Sequence, residues 1–370
     1  MIVPVNEPLL NGNEKKYLNE CIDTGYVSSE GPFVKRFEKS LAGYFGRKHA
    51  IAVANGTVAI DIAIEALGLS AGDEVIMPTF TIISCVSGLI RKGCKPVFID
   101  QLSDTWNMDV TQIEEKISSR TKAIMVVHIY GLPVDMNPVI ELSEKYNLKV
   151  IEDAAEMHGQ EYYGKKCGSF GDISTVSFYP NKHITTGEGG MVFTDNDLLA
   201  ERCRSIRNLC FIPEQRFIHY ELGFNGRLSN LQAAVGLAQF ERLEEFIAKK
   251  RLIGDLYQER LAGISSIQLP VVATSFAKNI YWVFGIVIKN DVNSNARNVS
   301  DQLSKYGIGT RPFFWSLHEQ PVLKKYGYSS KESFPVSENL SRRGLYLPSG
   351  MALSIEQIDY VSDKVAEIFN

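Results

Sequence analysis

The sequence predicts an α/β fold, a mostly parallel sheet with flanking helices plus a smaller α+β C-terminal domain. Two observations predict it. Short Val/Ile-rich runs alternate with helical patterns along roughly the first 240 residues, the pattern of strands joined by covering helices. The chain is 370 residues long, more than one compact core usually holds.

The strand runs come in order: IAVA from Ile51, EVIM from Glu74, PVFI from Pro96, AIMVVH from Ala123, KVIE from Lys149, ISTVSF from Ile173 and MVFT from Met191. A long helical stretch, 230–261, then carries the chain outward, with Leu237, Phe240, Leu243 and Phe246 at helical spacing. The remainder holds a strand run at 280–288, a helical pattern near 296–306 and a terminal helix from Ile355. The expected division is a ligand-binding large domain over 1–240, then a linking helix and small domain over 241–370. Gly and Pro are dispersed as turns, and there is no internal repeat.

Composition narrows the function classes. A net charge of −4 with 22% charged residues and no basic run argues against nucleic acid. The densest basic cluster, Lys249, Lys250 and Arg251, reads as a solvated helix face. The amino terminus lacks a charged lead followed by an apolar stretch, and the longest apolar run is too short to span a bilayer, so a cytoplasmic protein is expected. The six cysteines show no C-x-x-C spacing and read as reduced thiols without zinc.

The chemistry concentrates in SFYPNKHITTGEGG, residues 177–190, where Lys182 follows a strand and precedes a small-residue turn. An amine with fixed geometry and lowered pKa is a Schiff-base nucleophile, and pyridoxal phosphate (PLP) is its commonest partner. An isolated lysine in a turn is ordinarily solvated; three further features give this one its company. Asp153 closes a strand at the end where ligands bind in open α/β sheets; an acid there serves the pyridine nitrogen of PLP, or else caps the following segment. Glu156 and His158 extend that polar cluster. Asn55, Gly56 and Thr57 join a strand to an amphipathic helix, whose amino end favours a phosphate, with Ser177 and Asn225 as further donors.

The ordered blocks NGT, EDAAE, SFYPNKHITTGEGG, GFNGRLSNLQAAVGLAQ (223–239) and TRPFF (310–314) resemble the DegT/DnrJ/EryC1/StrS family of PLP-dependent sugar aminotransferases across nearly the whole chain. The resemblance implies the type I PLP fold, that of aspartate aminotransferase. It implies that Lys182 binds the cofactor aldehyde, Asp153 pairs with the pyridinium and Glu156 lies near the phenolic oxygen. Gly56, Thr57 and Ser177 bind the phosphate, with Asn225 reaching it from the neighbouring subunit of an obligate homodimer with shared active sites. It also implies L-glutamate as donor, a nucleotide-linked 4-keto-6-deoxysugar as acceptor, and a place in surface polysaccharide synthesis.

Two positions bear on that resemblance. The family usually places an aromatic ring over the pyridine where this chain has Ile82, which leaves an aliphatic lid; Phe80 points the other way by strand parity. Relatives that carry histidine in place of the lysine are sugar 3-dehydratases. Counting back from Ile184 gives Lys182, with His183 beside it, which favours transamination. For the sugar nucleotide, Arg311 offers a phosphate-binding fork, while Ser29, His183, Phe313 and His318 are candidate contacts. Aromatic clusters like Phe313, Phe314 and Trp315 are more often core than platform. The alternatives are transfer to another ketosugar or a small ketophosphate, a PLP-dependent 3-dehydratase, and a non-catalytic protein of this fold.

Overall fold

A computed structural model describes residues 1–328 and 332–369. The strands are β1 (His49–Val53), β2 (Glu74–Pro78), β3 (Lys95–Ile99), β4 (Thr121–Val127), β5 (Lys149–Asp153), β6 (Glu161–Tyr162), β7 (Lys165–Lys166), β8 (Ile173–Ser177), β9 (Gly190–Thr194), β10 (Ile267–Gln268), β11 (Phe284–Ile288), β12 (Arg311–Pro312) and β13 (Gly344–Leu347). The helices are α1 (Glu14–Thr24), α2 (Pro32–Phe45), α3 (Gly56–Ala66), α4 (Ser84–Lys92), α5 (Met136–Tyr146), α6 (Asp197–Arg207), α7 (Asn230–Phe240), α8 (Leu243–Leu261), α9 (Ala296–Lys305), α10 (Pro321–Lys325), α11 (Pro335–Arg343) and α12 (Ile355–Phe369).

Seven strands form one sheet in the order β1-β9-β8-β5-β4-β2-β3. Every pair is parallel except the two made by β9, which runs against β8 and β1. All seven runs expected from the sequence are strands of this sheet. Their unbroken apolar character has a visible cause, since consecutive residues serve opposite cores. Ile124 and Val126 of β4 belong to the core that includes residues of α2, α5 and α7, whereas Ala123, Met125 and Val127 belong to the core that includes residues of α3, α4 and α6.

A second, antiparallel sheet, β10-β11-β13-β12, buries its own core against α8, α9 and α12. β6 and β7 pair as a short hairpin.

The helical stretch 230–261 is two helices, not one. At Arg242 the backbone leaves the helix, φ −116° and ψ 12°. The flanking side chains hold that break: Arg242 pairs with Glu245 at 2.6 Å, and Glu241 accepts from Tyr17 Oη at 2.6 Å and Asn13 at 2.7 Å. The run 280–288 is strand only from Phe284, because Tyr281 takes a left-handed φ of 48°. Lys250 is also unlike the expected solvated residue: it is fully buried on the inner side of α8.

Candidate active site

The carboxyl ends of the parallel strands open onto a cavity of about 720 Å³, which falls in the range of small-molecule sites. β1 delivers Asn55, Gly56 and Thr57; β2 leads to Thr81 and Ile82; β4 leads to His128; β5 ends at Asp153; β8 ends at Ser177; and the following turn supplies Tyr179, Asn181 and Lys182. Trp282, Phe314 and Tyr346 close the side nearest the second sheet.

The Asn55 side chain caps α3 by accepting from the Val58 N–H at 2.9 Å, fixing the helix start that faces the cavity. Gly56 is required by space: a Cβ there would lie 2.8 Å from Ser177 Cβ. Thr57 Oγ1 meets Ser84 Oγ at 2.8 Å, so two hydroxyls stand beside the helix amino end.

Asp153 is buried, and desolvation holds its carboxyl above the usual range, against hydrogen bonds from the Ala155 N–H (3.0 Å) and the Cys85 thiol (3.3 Å). Glu156 accepts from the Tyr130 N–H at 2.7 Å, and burial pushes its carboxyl up to about 8. Lys182 Nζ lies 3.8 Å from Glu156 Oε1 and 3.8 Å from the centroid of the Trp282 ring. Burial lowers its pKa, and the Glu156 and Asp153 carboxylates oppose that fall.

The buried trio His128, Glu152 and Cys167 has ligand atoms close enough to suggest a metal. Hydrogen bonding gives it another use. Glu152 accepts from the N–H groups of Gly168 (2.6 Å) and Phe170 (2.7 Å), and His128 Nδ1 accepts from the Val134 N–H at 3.0 Å. The His128 proton is thereby placed on Nε2, 3.0 Å from Glu152, in a satisfied network at the cavity wall.

The site fits PLP. Thr175 Oγ1 and Asn181 Oδ1 border the cavity, are buried, and find no hydrogen-bond partner among the described residues. The Gly56–Ser177 approach leaves backbone open at a helix amino end, a cradle that a methyl group would fill. A buried amine and two buried carboxylates complete the donor set.

A model of the DegT/DnrJ/EryC1/StrS aminotransferase family matches residues 8–366. The chain belongs to that family. Among its relatives, the GDP-perosamine synthase of Escherichia coli O157:H7 is 41% identical over 371 residues, covering 100% of this chain and 99% of the relative. The GDP-perosamine synthase of Vibrio cholerae is 39% identical, covering 100% of both. The crystal structure of the aminotransferase TlmJ from Streptoalloteichus hindustanus superposes with a TM-score of 0.91 at 27% identity, covering 98% of each chain. The chain is thus a PLP-dependent sugar aminotransferase of the type I fold.

Within this DegT-family site the structure brings together Gly56, Thr57, Ile82, Asp153, Glu156, Ser177 and Lys182. Ile82 borders the cavity with 43% of its surface exposed, while Phe80 packs away from it against Tyr130 and Phe313.

Six expected contacts are not among the residues that line this chain's cavity. Phe313 is core rather than cavity lining, because Gly285 and Gly344 leave space that its ring fills; Phe314, of opposite parity, borders the cavity instead. His318 is buried against Thr79 Oγ1 at 2.7 Å, and His183 is buried with its ring edge against His158 at 5.9 Å. Ser29 sits partly buried in the loop before α2, and Asn225 is exposed beside Asn208; neither borders the cavity of its own chain. Arg311 is exposed on β12, paired in register with Tyr346, whose phenol borders the cavity.

Trp282, Tyr346 and Cys85 are site residues that sequence reasoning missed. Trp282 is 100 residues from Lys182 and sits in an apolar run that reads as strand. Cys85 has no spacing signal, and only the fold brings it to Asp153.

Proposed function

We propose that the protein transfers the amino group of L-glutamate to C4 of GDP-4-keto-6-deoxymannose, giving GDP-perosamine for surface polysaccharide. The single observation that carries an aminotransferase over a dehydratase is Lys182, a largely buried amine held at the cavity between Glu156 and Trp282, while the neighbouring His183 is buried away from the cavity. The full-length likeness to two GDP-perosamine synthases supports the acceptor.

When bound, PLP supplies an aldehyde that takes up amines and an electron sink for the bond next to the captured nitrogen. Gly56, Thr57, Ser84 and Ser177 would hold its phosphate. Asp153, buried beside the Cys85 thiol, would hold a proton at the ring nitrogen. Lys182 Nζ would hold the aldehyde, and as a free amine it would take the proton from the donor's α-carbon. Burial moves its pKa downward, the direction that suits a base. Ile82 and the Tyr346 side limit water at the cavity mouth. Arg311, beside Tyr346, would meet the diphosphate.

The protein acts as a cytoplasmic homodimer in this reading, with Asn225 entering the other subunit's cavity. The support is the exposure of Asn225 outside its own cavity and of Phe217, Ile218, Tyr220 and Leu222 in the same stretch. Among the described residues no helix is long and apolar enough to cross a membrane.

The test is the absorption spectrum of the PLP-loaded protein. L-glutamate should bleach the yellow chromophore, GDP-4-keto-6-deoxymannose should restore it, and mass spectrometry should find GDP-perosamine. Bleaching without restoration rejects this acceptor; failure of Lys182→Ala to abolish both changes rejects the lysine.

A further inference from the structure

The turn 279–284 is held from five directions. Asn279 Oδ1 accepts from the Tyr281 N–H at 2.7 Å, fixing the left-handed residue, and Ser349 Oγ accepts from the Phe284 N–H at 2.9 Å. Gly254 of α8 makes room for the Tyr281 ring, since a Cβ there would lie 2.1 Å from it. One turn earlier on α8, Lys250 donates to the carbonyl oxygens of Trp282 (2.8 Å) and Ser349 (2.5 Å). The Trp282 indole N–H donates to the carbonyl of Asn181 at 2.8 Å, the residue before Lys182.

Such overdetermination of a strained turn is costly unless the turn has a task. What it presents to the cavity is one thing, the face of the Trp282 ring, 3.8 Å from Lys182 Nζ.

We infer that Trp282 is a positioning residue for the transamination, its indole face setting the orientation and basicity of the Lys182 amine, with Lys250 and Asn181 fixing the indole. The inference rests on Lys182 being the cofactor lysine. An aromatic face attracts an ammonium, most strongly when the pair is desolvated, so the ring favours the protonated amine. It therefore works with Glu156, Asp153 and Cys85, which also favour protonation, and against burial. Lys250 faces the amine as a like charge, and His158 and His183 face it from the turn 157–158 and from the chain itself; burial keeps both imidazoles neutral. The same ring limits the rotamers open to the amine after release, keeping it on the side of the cavity where Asp153 and Glu156 lie.

The test uses Trp282→Leu and Trp282→Phe with the parent. In cofactor-free protein, the pH dependence of acetic anhydride labelling at Lys182, read by peptide mass spectrometry, gives the pKa of that amine. Leu should lower it by about half to one unit, and Phe should restore most of it. In loaded enzyme Leu should cut kcat about tenfold or more with KM for the nucleotide sugar within twofold. Trp282→Met is read in the same way should the Leu variant not fold. Identical labelling profiles in parent and Leu, or Phe behaving like Leu, overturn the inference. Borohydride reduction of the loaded parent separates the two assignments: cofactor mass on a lysine other than Lys182 overturns the lysine and this inference together, whereas mass on Lys182 with unchanged profiles overturns this inference alone.

Discussion

The Cys85 thiol donates to Asp153 Oδ2 at 3.3 Å, so the acid at the end of β5 is supported by the first turn of α4. Asp153 needs this support because burial favours its neutral form. Cys85→Ala removes one of its two hydrogen bonds, and a thiol is a weak donor. PLP affinity should therefore fall about three- to tenfold, the equivalent of ~1 kcal/mol. Asp153→Asn should abolish turnover while the protein stays folded. Equilibrium dialysis with PLP and steady-state assays read the two; an unchanged PLP affinity in Cys85→Ala would show the thiol to be packing only.

Gly56 and Ser177 touch across the start of α3, and the added methyl of Gly56→Ala would meet Ser177 Cβ at 2.8 Å. Phosphate capture should weaken by at least about tenfold, in keeping with overpacking costs of ~1–3 kcal/mol. Ser177→Gly alone should also weaken PLP binding. Combined with Gly56→Ala it should cost less than the two singles added, because they share one contact. Strict additivity in a PLP titration would refute the shared contact.

Lys250 supplies a pH dependence. Burial lowers its pKa to about 7, with the like charge of Lys182 contributing. In the unfolded chain a lysine titrates near 10.4. Below pH 7 it is charged in both states and its burial cost is constant. Between 7 and about 10 the folded state has released the proton while the unfolded chain keeps it, so this lysine makes stability rise with pH, by up to ~1.4 kcal/mol per unit. Urea unfolding of parent and Lys250→Met from pH 6 to 9 should show a difference that turns toward the parent as pH rises; a constant difference would sink this account.

His183→Asn should fold less stably by about 1–3 kcal/mol, because the ring is buried against His158 rather than poised at the cavity. KM for the nucleotide sugar should not change. A KM rise of tenfold in a stably folded variant would return His183 to the substrate site.

Much of the fold was legible in the chain because each strand of the large sheet is covered on both faces and so writes a continuous apolar run. Lys182, Asp153, Gly56 and Ser177 were legible for a related reason: all sit where a strand ends, and that position in an α/β sheet is readable locally. Trp282 and Tyr346 were not, since nothing local marks which aromatic of a second sheet turns toward the first. Lys250 misled because a Lys-Lys-Arg run looks solvated, and only the carbonyls of Trp282 and Ser349 explain a lysine facing inward. The break at Arg242 was hidden too, since Leu237, Phe240, Leu243 and Phe246 keep a helical rhythm across it.

All six cysteines are free and buried. Where the shift is marked, as at Cys85, Cys94, Cys167 and Cys203, burial also raises the thiol pKa, which leaves little thiolate at neutral pH. An alkylating reagent would find no target in the closed molecule, and each modification would record an opening event at a known address: Cys85 beside Asp153, Cys94 before β3, Cys167 between β7 and β8, Cys203 on α6. The chain thus carries its own set of internal clocks, able to time how one part of the molecule breathes relative to another.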